Sequence, residues 1–366
     1  MNYFYEIALS LVSGIGPIKA KNLIRYCGSA EAVFTEKKSH LLKIPEVGEF
    51  VVKAIAEQKV FERVEKELTF IDKEKIDVLY YQDAKFPKRL LHCPDHPLIL
   101  YKKGNMNLDE ECVVSIVGTR NASSYGKRVT EELVEYLKAR NVLIVSGLAY
   151  GIDVTAHKKA LDTGIQTVGV VAHGLDQIYP KTHSTIANQM KENGGLLTEF
   201  ISGGFPDREN FPKRNRIVAG LCDATVVIES KKKGGSLITG MLAADYNRDV
   251  HCVPGRVGDI NSEGCNSLIQ RNLGAIYTGP EEFIKSMGWS VKSKNKPVQQ
   301  MNLLLDLNQN EEQLITAVQE QPKIRKDELS FVLGMSTSEL SIVLLNLELK
   351  GLVKSLPGGV VELTFA

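Results

Sequence analysis

Chemistry-bearing residues in this sequence gather in a few glycine-rich stretches. The densest is Asn210-Phe211-Pro212-Lys213-Arg214-Asn215-Arg216, where Lys213, Arg214 and Arg216 surround the ring of Phe211 at an expected helix start. Cations beside an exposed ring suit a phosphate backbone whose bases can stack, which is what a single nucleic-acid strand offers. Ile116-Val117-Gly118-Thr119-Arg120 ends an apolar run in a glycine turn, and the planar fork of Arg120 fits a phosphate or stacks on a base. Tyr179-Pro180-Lys181 adds a ring and a cation at another rim. Lys231, Lys232 and Lys233 precede Gly234-Gly235-Ser236, a glycine pair that can fold into an anion nest with Ser236 as the helix cap. Taken singly, each residue has a plainer reading: Arg120 or Arg216 in an ion pair, Phe211 in a core.

Other candidates carry less. Asp153 and His157 share a helical face at a spacing that fits a metal pair or a catalytic dyad, but no third ligand stands near in sequence. Asp153 is therefore expected to cap its helix and His157 to pack. His92 and His96 are separated by Pro94, which breaks the helix that would align them. Cys265 has no evident base partner, so it reads as a packed thiol. The GxGxxG fingerprint is missing, and the second strand ends in Ser146-Gly147 without an acid to hold a ribose. GxxxxGK[ST] is missing too. The sequence thus supports no dinucleotide cofactor, no ATP hydrolysis, no metal and no catalytic residue.

The elements that position these turns alternate between apolar runs and amphipathic stretches from Cys112 onward, which predicts a Rossmann-like, doubly wound, mostly parallel α/β sheet. Strands are expected at Val113 to Val117, Val142 to Val145, Thr167 to Val171, Gly195 to Glu199, Thr225 to Ile228 and Val250 to Val253. Between them helices are expected at Gly126 to Arg140, Val154 to Leu161, Ser184 to Asn193, Lys213 to Gly220 and Ser236 to Tyr246. Ser262 to Asn266 reads as a turn. In such a sheet a ligand binds at the carboxyl ends of the strands, where the strand order reverses, and the glycine turns fall there.

Flanking segments differ in kind. Residues 1–75 predict a small helical domain in which Leu11 to Pro17 and Ile44 to Gly48 look like helix-hairpin-helix turns. Glu46 stands in the second where such a turn has glycine. Asp77 to Gly104 reads as an irregular lead-in with short strands, making 76–288 the central domain. Residues 289–310 predict a linker and 311–366 a winged helix, with Ser336 to Glu339 opening its second turn-helix element, Val353 to Leu363 forming the wing and Pro357 between the two strands. On the expected recognition helix, Glu339, Ser341 and Asn346 accompany few cations, which leaves a protein partner open beside a duplex groove.

Bulk composition agrees with two or three soluble domains: 366 residues, 43% hydrophobic, 24% charged. A net charge of +1 makes any nucleic-acid affinity a matter of local clustering. Six cysteines without a CxxC pair predict a reducing cytoplasm, and no run suggests a signal peptide or a membrane span.

In order, IVGTRNASSYG, SGLAYGIDVTAH, FPKRNRIVAGL, GGSLIT and VPGRVGDINSEGCNSLI resemble the DNA-processing protein A (DprA/Smf) family. The resemblance spans most of the central domain, and the family's helical, SAM-like N-terminal and winged-helix C-terminal domains match the flanks. It implies a non-enzymatic protein that binds single-stranded DNA, protects it during natural transformation and loads the RecA recombinase onto it for recombination, as a homodimer. Carried over by motif, the implied DNA contacts are Arg120, Lys181, Phe211, Lys213, Arg214 and Arg216. The alternative from the fold alone is a nucleotide-processing phosphoribohydrolase-like enzyme, against which stands Lys233-Gly234-Gly235-Ser236-Leu237 where such enzymes carry PGGxGT.

Overall fold

In the computed structural model, residues 3–204, 207–289, 307–321, 324–356 and 358–363 are described. The chain divides into two compact units, Met1–Lys292 and Ser293–Ala366. Most of the expected linker, 290–306, lies outside the described residues, as does Pro357 of the wing.

A nine-stranded sheet organises the first unit. Its strands are β1 (Asp77–Tyr80), β2 (Ile99–Lys103), β3 (Cys112–Gly118), β4 (Val142–Ser146), β5 (Gln166–Val170), β6 (Gly194–Thr198), β7 (Ala224–Ile228), β8 (Asp249–Cys252) and β9 (Ala275–Ile276). They lie in the order β1-β2-β6-β5-β4-β3-β7-β8-β9. From β3 the chain builds outward through β4, β5 and β6, then returns to lay β7 against the other side of β3. Strands β3 to β9 pair in parallel, whereas β1 and β2 join antiparallel at the β6 edge. The segment read as an irregular lead-in therefore extends the sheet.

Every position of β4 and β7 is buried. That follows from helices on both faces, which turn strand sequences into continuous apolar runs. Val113, Val117 and Leu143 belong to one core, and Val114, Ile116 and Ile144 to the core on the opposite face. Ser115 is the polar exception on β3. Its hydroxyl donates to Thr225 Oγ1 on β7 at 2.7 Å, so burying it leaves no unmet donor. The stretch Ser262 to Asn266, expected as a turn, instead opens the helix Glu263–Gln270, where Cys265 is packed and burial holds its thiol up at about 12.

In the N-terminal bundle, Phe4–Leu11 joins Pro17–Cys27, and Lys38–Leu41 joins Glu49–Glu57, through two hairpins of one geometry. Gly16 has φ −94°, ψ 174° and Gly48 has φ −95°, ψ 174°. Two residues upstream, Gly14 sits at φ 81° and Glu46 at φ 64°. Glu46 thus adopts a left-handed conformation that costs an L-residue about 1–2 kcal/mol. Helix Phe61–Glu74 fastens this bundle to the sheet. The buried carboxylate of Glu67 accepts from Ser202 N at 3.0 Å, and Arg63 donates to Ser202 O.

In the second unit, helices Gln309–Glu320, Lys326–Leu333 and Thr337–Leu349 pack on a three-stranded antiparallel sheet of Ile324–Arg325, Val353–Leu356 and Val360–Leu363. This is the winged-helix arrangement. Ser336 and Glu339 form a reciprocal cap at the start of Thr337–Leu349, as their three-residue spacing requires. That helix buries Leu340, Leu344 and Leu347 and exposes Ile342, Leu345 and Leu349. Among the described residues no single helix is long and apolar enough to cross a membrane.

Candidate nucleic-acid interface

Where β4 and β7 flank β3, the loops leaving the strand ends enclose a cavity of about 400 Å³. Its lining comes from the turn Gly118 to Asn121, from Gly147 and Ala149, from Phe211, Arg214 and Asn215, and from Lys231 and Lys233 to Ser236. Of the residues singled out in sequence, Arg120, Phe211, Arg214, Lys231, Lys233, Gly234, Gly235 and Ser236 meet here. They come from three segments distant in sequence, brought together by the reversal of strand order.

The ring of Phe211 is held from two sides. Arg120 places its guanidinium 5.3 Å from the ring centroid, and Tyr179 meets it edge-on at 6.1 Å. Tyr179 is itself positioned by its N–H, which donates to His173 Nε2 at 3.2 Å. Lys181 follows two residues later in a short 3-10 turn. It is exposed and does not line the cavity.

The run Asn210 to Arg216 divides by direction. Its helix, Asn210–Gly220, turns Phe211 toward the cavity but draws Arg214 inside. Arg214 is 5% exposed, and its Nη1 donates to Gly147 O at 2.6 Å and to Val170 O. A side chain at Gly147 would meet that guanidinium at 2.4 Å, so glycine is required there for close approach. Burial lowers Arg214 to about 10, with Asp153 opposing. Arg216 donates to Glu199 and to Asp95 O. Expected as ligand contacts, Arg214 and Arg216 instead hold the protein to itself, because the helical period aims them at carbonyls and a carboxylate of the core. Lys213 points elsewhere. It is exposed and lines a neighbouring cavity of about 450 Å³, across from Ile15, Gly16 and Pro17 of the first hairpin.

Two further expectations need correction. Asp153 does not cap its helix, whose N-cap is Gly151. Its carboxylate reaches back to accept from Gly147 N at 3.1 Å and Ala149 N at 3.3 Å, tightening the turn that receives Arg214. Burial pushes this carboxyl up, opposed by Arg214 and those two N–H groups. Ser236 does not cap either: the helix Gly235–Asp245 starts after Gly234, and the Ser236 hydroxyl donates to Ser230 Oγ at 2.9 Å. The first N–H groups of that helix still lack helical acceptors and carry the positive end of its dipole into the cavity. His157 is fully buried, bonded through Nδ1 to Thr167 Oγ1 at 2.7 Å, and burial beside His183 holds it down at about 3. No group of three or more metal-ligating side chains occurs among the described residues.

Glu229 was not singled out from the sequence. It ends β7 at φ 54°, and its buried carboxylate accepts from Ser123 N at 2.9 Å and from the Ser123 hydroxyl. It thereby pins the loop that carries Arg120. The signal lay in an acid closing the apolar run Val226-Val227-Ile228. Asn121 and Asn215 also line the cavity, and nothing in their spacing distinguished them.

Fold and cavity define a doubly wound α/β protein with a cationic, ring-bearing crevice at its strand-order switch, followed by a winged helix. Residues 77–288 match the family described as DNA recombination-mediator protein A, and 302–359 match the DprA winged helix domain. The chain belongs to that family, whose members serve DNA processing and recombination. It is 31% identical over 386 residues to protein Smf of Synechocystis, covering 97% of each chain. It is 33% identical to protein Smf of Escherichia coli, covering 82% of this chain and 81% of the relative. The X-ray structure of DNA processing protein A from Streptococcus pneumoniae superposes with a TM-score of 0.67 at 31% identity, covering 78% of this chain and 97% of that one. DNA processing protein A of Helicobacter pylori, whose single-stranded DNA binding mode has been studied structurally, gives 0.53 at 29% identity, covering 58% and 95%.

Proposed function

We propose that this chain is a single-stranded-DNA-binding mediator and not an enzyme. It covers incoming strands in the cytoplasm and, as a homodimer, passes them to the RecA recombinase. The observation that carries the reading is the Arg120–Phe211–Tyr179 stack at the mouth of a crevice walled by Lys231, Lys233 and a glycine-led helix start. Stacked rings accept any base, and cations with helix N–H groups take the intervening phosphates. The single-stranded DNA studied with the Helicobacter pylori relative supports the same ligand class here. Against a nucleotide hydrolase stands the engagement of the cavity's buried acid: Asp153 is occupied by two backbone N–H groups and Arg214.

Arg120→Ala combined with Lys181→Ala should weaken single-stranded DNA binding at least tenfold. Two lost phosphate contacts should also flatten the salt dependence by about 1.4 in log–log slope. Unchanged affinity in a mobility-shift titration would overturn the site assignment. Release of free base from nucleoside monophosphates would overturn the non-enzymatic reading.

A further inference from the structure

A second cavity, of about 730 Å³, opens on the far side of Arg120. It shares Arg120 and Asn121 with the crevice, so the two cavities adjoin at that turn. Its walls are the helices Ser124–Leu137 and Ile152–Thr163, which contribute Lys127 and Lys158. Both lysines are exposed, and among the described residues no carboxylate pairs with either, whereas the neighbouring Lys159 is held by Glu135 at 2.5 Å. Tyr150 stands at the entrance, 45% exposed. Its ring packs edge-on to His183 at 4.9 Å and its hydroxyl accepts from Thr182 at 3.2 Å. An exposed ring fixed at two points loses little freedom when a flat group stacks on it.

Glu131 and Asp162 line the same cavity, each four residues beyond a lysine on its own helix. Four residues are one turn, about 6 Å along the axis. Lys159 lines the groove too, and both Glu131 and Asp162 act on it, so lysines and carboxylates share the groove beyond Arg120.

We propose that this groove is the exit track of the DNA strand: Tyr150 stacks one base beyond the crevice, and Lys127 and Lys158 take the next phosphates. Glu131 and Asp162, set among these lysines, oppose the phosphates and hold the track's affinity down. The inference rests on the reading that the crevice holds single-stranded DNA, and it adds the path's direction across Arg120 and its length. The occupied stretch grows by about two nucleotides.

Affinity measured against oligo-dT of increasing length, from about six to about sixteen nucleotides, tests this. In the parent, affinity should rise with length until the groove is filled. Lys127→Ala with Lys158→Ala should leave the shortest oligomer unaffected, lower affinity for longer ones about tenfold, and reduce their salt slope by about 1.4. Glu131→Gln with Asp162→Asn should do the opposite, tightening only the longer oligomers, a gain that misfolding cannot mimic. If the parent binds short and long oligomers and neither pair of substitutions alters the length dependence, the track is refuted while the crevice stands. If the parent fails to bind any oligomer, the underlying reading falls, and the track with it.

Discussion

Replacing Arg214 by methionine separates the two roles mixed within Asn210 to Arg216. Arg214 is 5% exposed and donates to Gly147 O at 2.6 Å and to Val170 O, with Asp153 as its electrostatic partner. Methionine fills comparable space but leaves two buried carbonyls and a buried carboxylate without their cation. Removing one member of a buried charged pair costs about 3–5 kcal/mol. Two charge-assisted hydrogen bonds at about 1.5–3 kcal/mol each give the same order. Against a total stability of roughly 5–15 kcal/mol this is a large fraction. At about 2–4 °C per kcal/mol, the thermal midpoint should fall by something on the order of 10 °C. Adding Asp153→Asn should restore part of the loss, since the orphaned charge goes with it. Arg120→Met should stay within about 0.5 kcal/mol of the parent and lose DNA affinity instead. Thermal melts of the four proteins check this. A midpoint for Arg214→Met within about 2 °C of the parent would refute the inward role.

Glu46→Gly should stabilise the N-terminal bundle by about 1 kcal/mol, read as a higher urea midpoint, because Glu46 occupies the left-handed position that Gly14 fills in the sister hairpin. A lower midpoint would show that the glutamate contributes more than its strain costs. His157 sets a pH dependence. The unfolded imidazole titrates near 6.5 and the folded one at about 3, so stability from keeping it neutral is lost as pH falls below 6.5. That loss reaches about 2 kcal/mol at pH 5. Asp153, pushed up by burial, acts in the opposite sense as it takes up a proton, and it does so equally in a His157→Gln variant. Denaturation at pH 7 and pH 5 should show a smaller drop for that variant, and equal drops would exclude His157 as the source.

The parallel sheet was legible because wholly buried strands leave no polar register, so apolar runs announced β3 to β8. Strands β1 and β2 were harder to see: Pro94, Pro97 and short lengths mask a pairing that depends on contact with the distant β6. The crevice was legible as glycine turns beside cations. What the sequence hid was direction. Lys213, Arg214 and Arg216 look alike in a row, yet the helical turn exposes the first, buries the second and pairs the third. Asp153 misled for the same reason: a helix-start acid usually caps forward, and this one closes the loop behind it. Glu229 went unremarked because its partner, Ser123, lies 106 residues away.

The return of the chain to the side of β3 has a consequence in time. During synthesis Arg120 emerges early, with the loop that bears it still lacking Glu229. Until β7 is inserted, no acid pins that loop, no glycine pair faces it, and the Phe211 helix has only half a sheet to settle on. The lining of the crevice is therefore complete only once β7 pairs with β3.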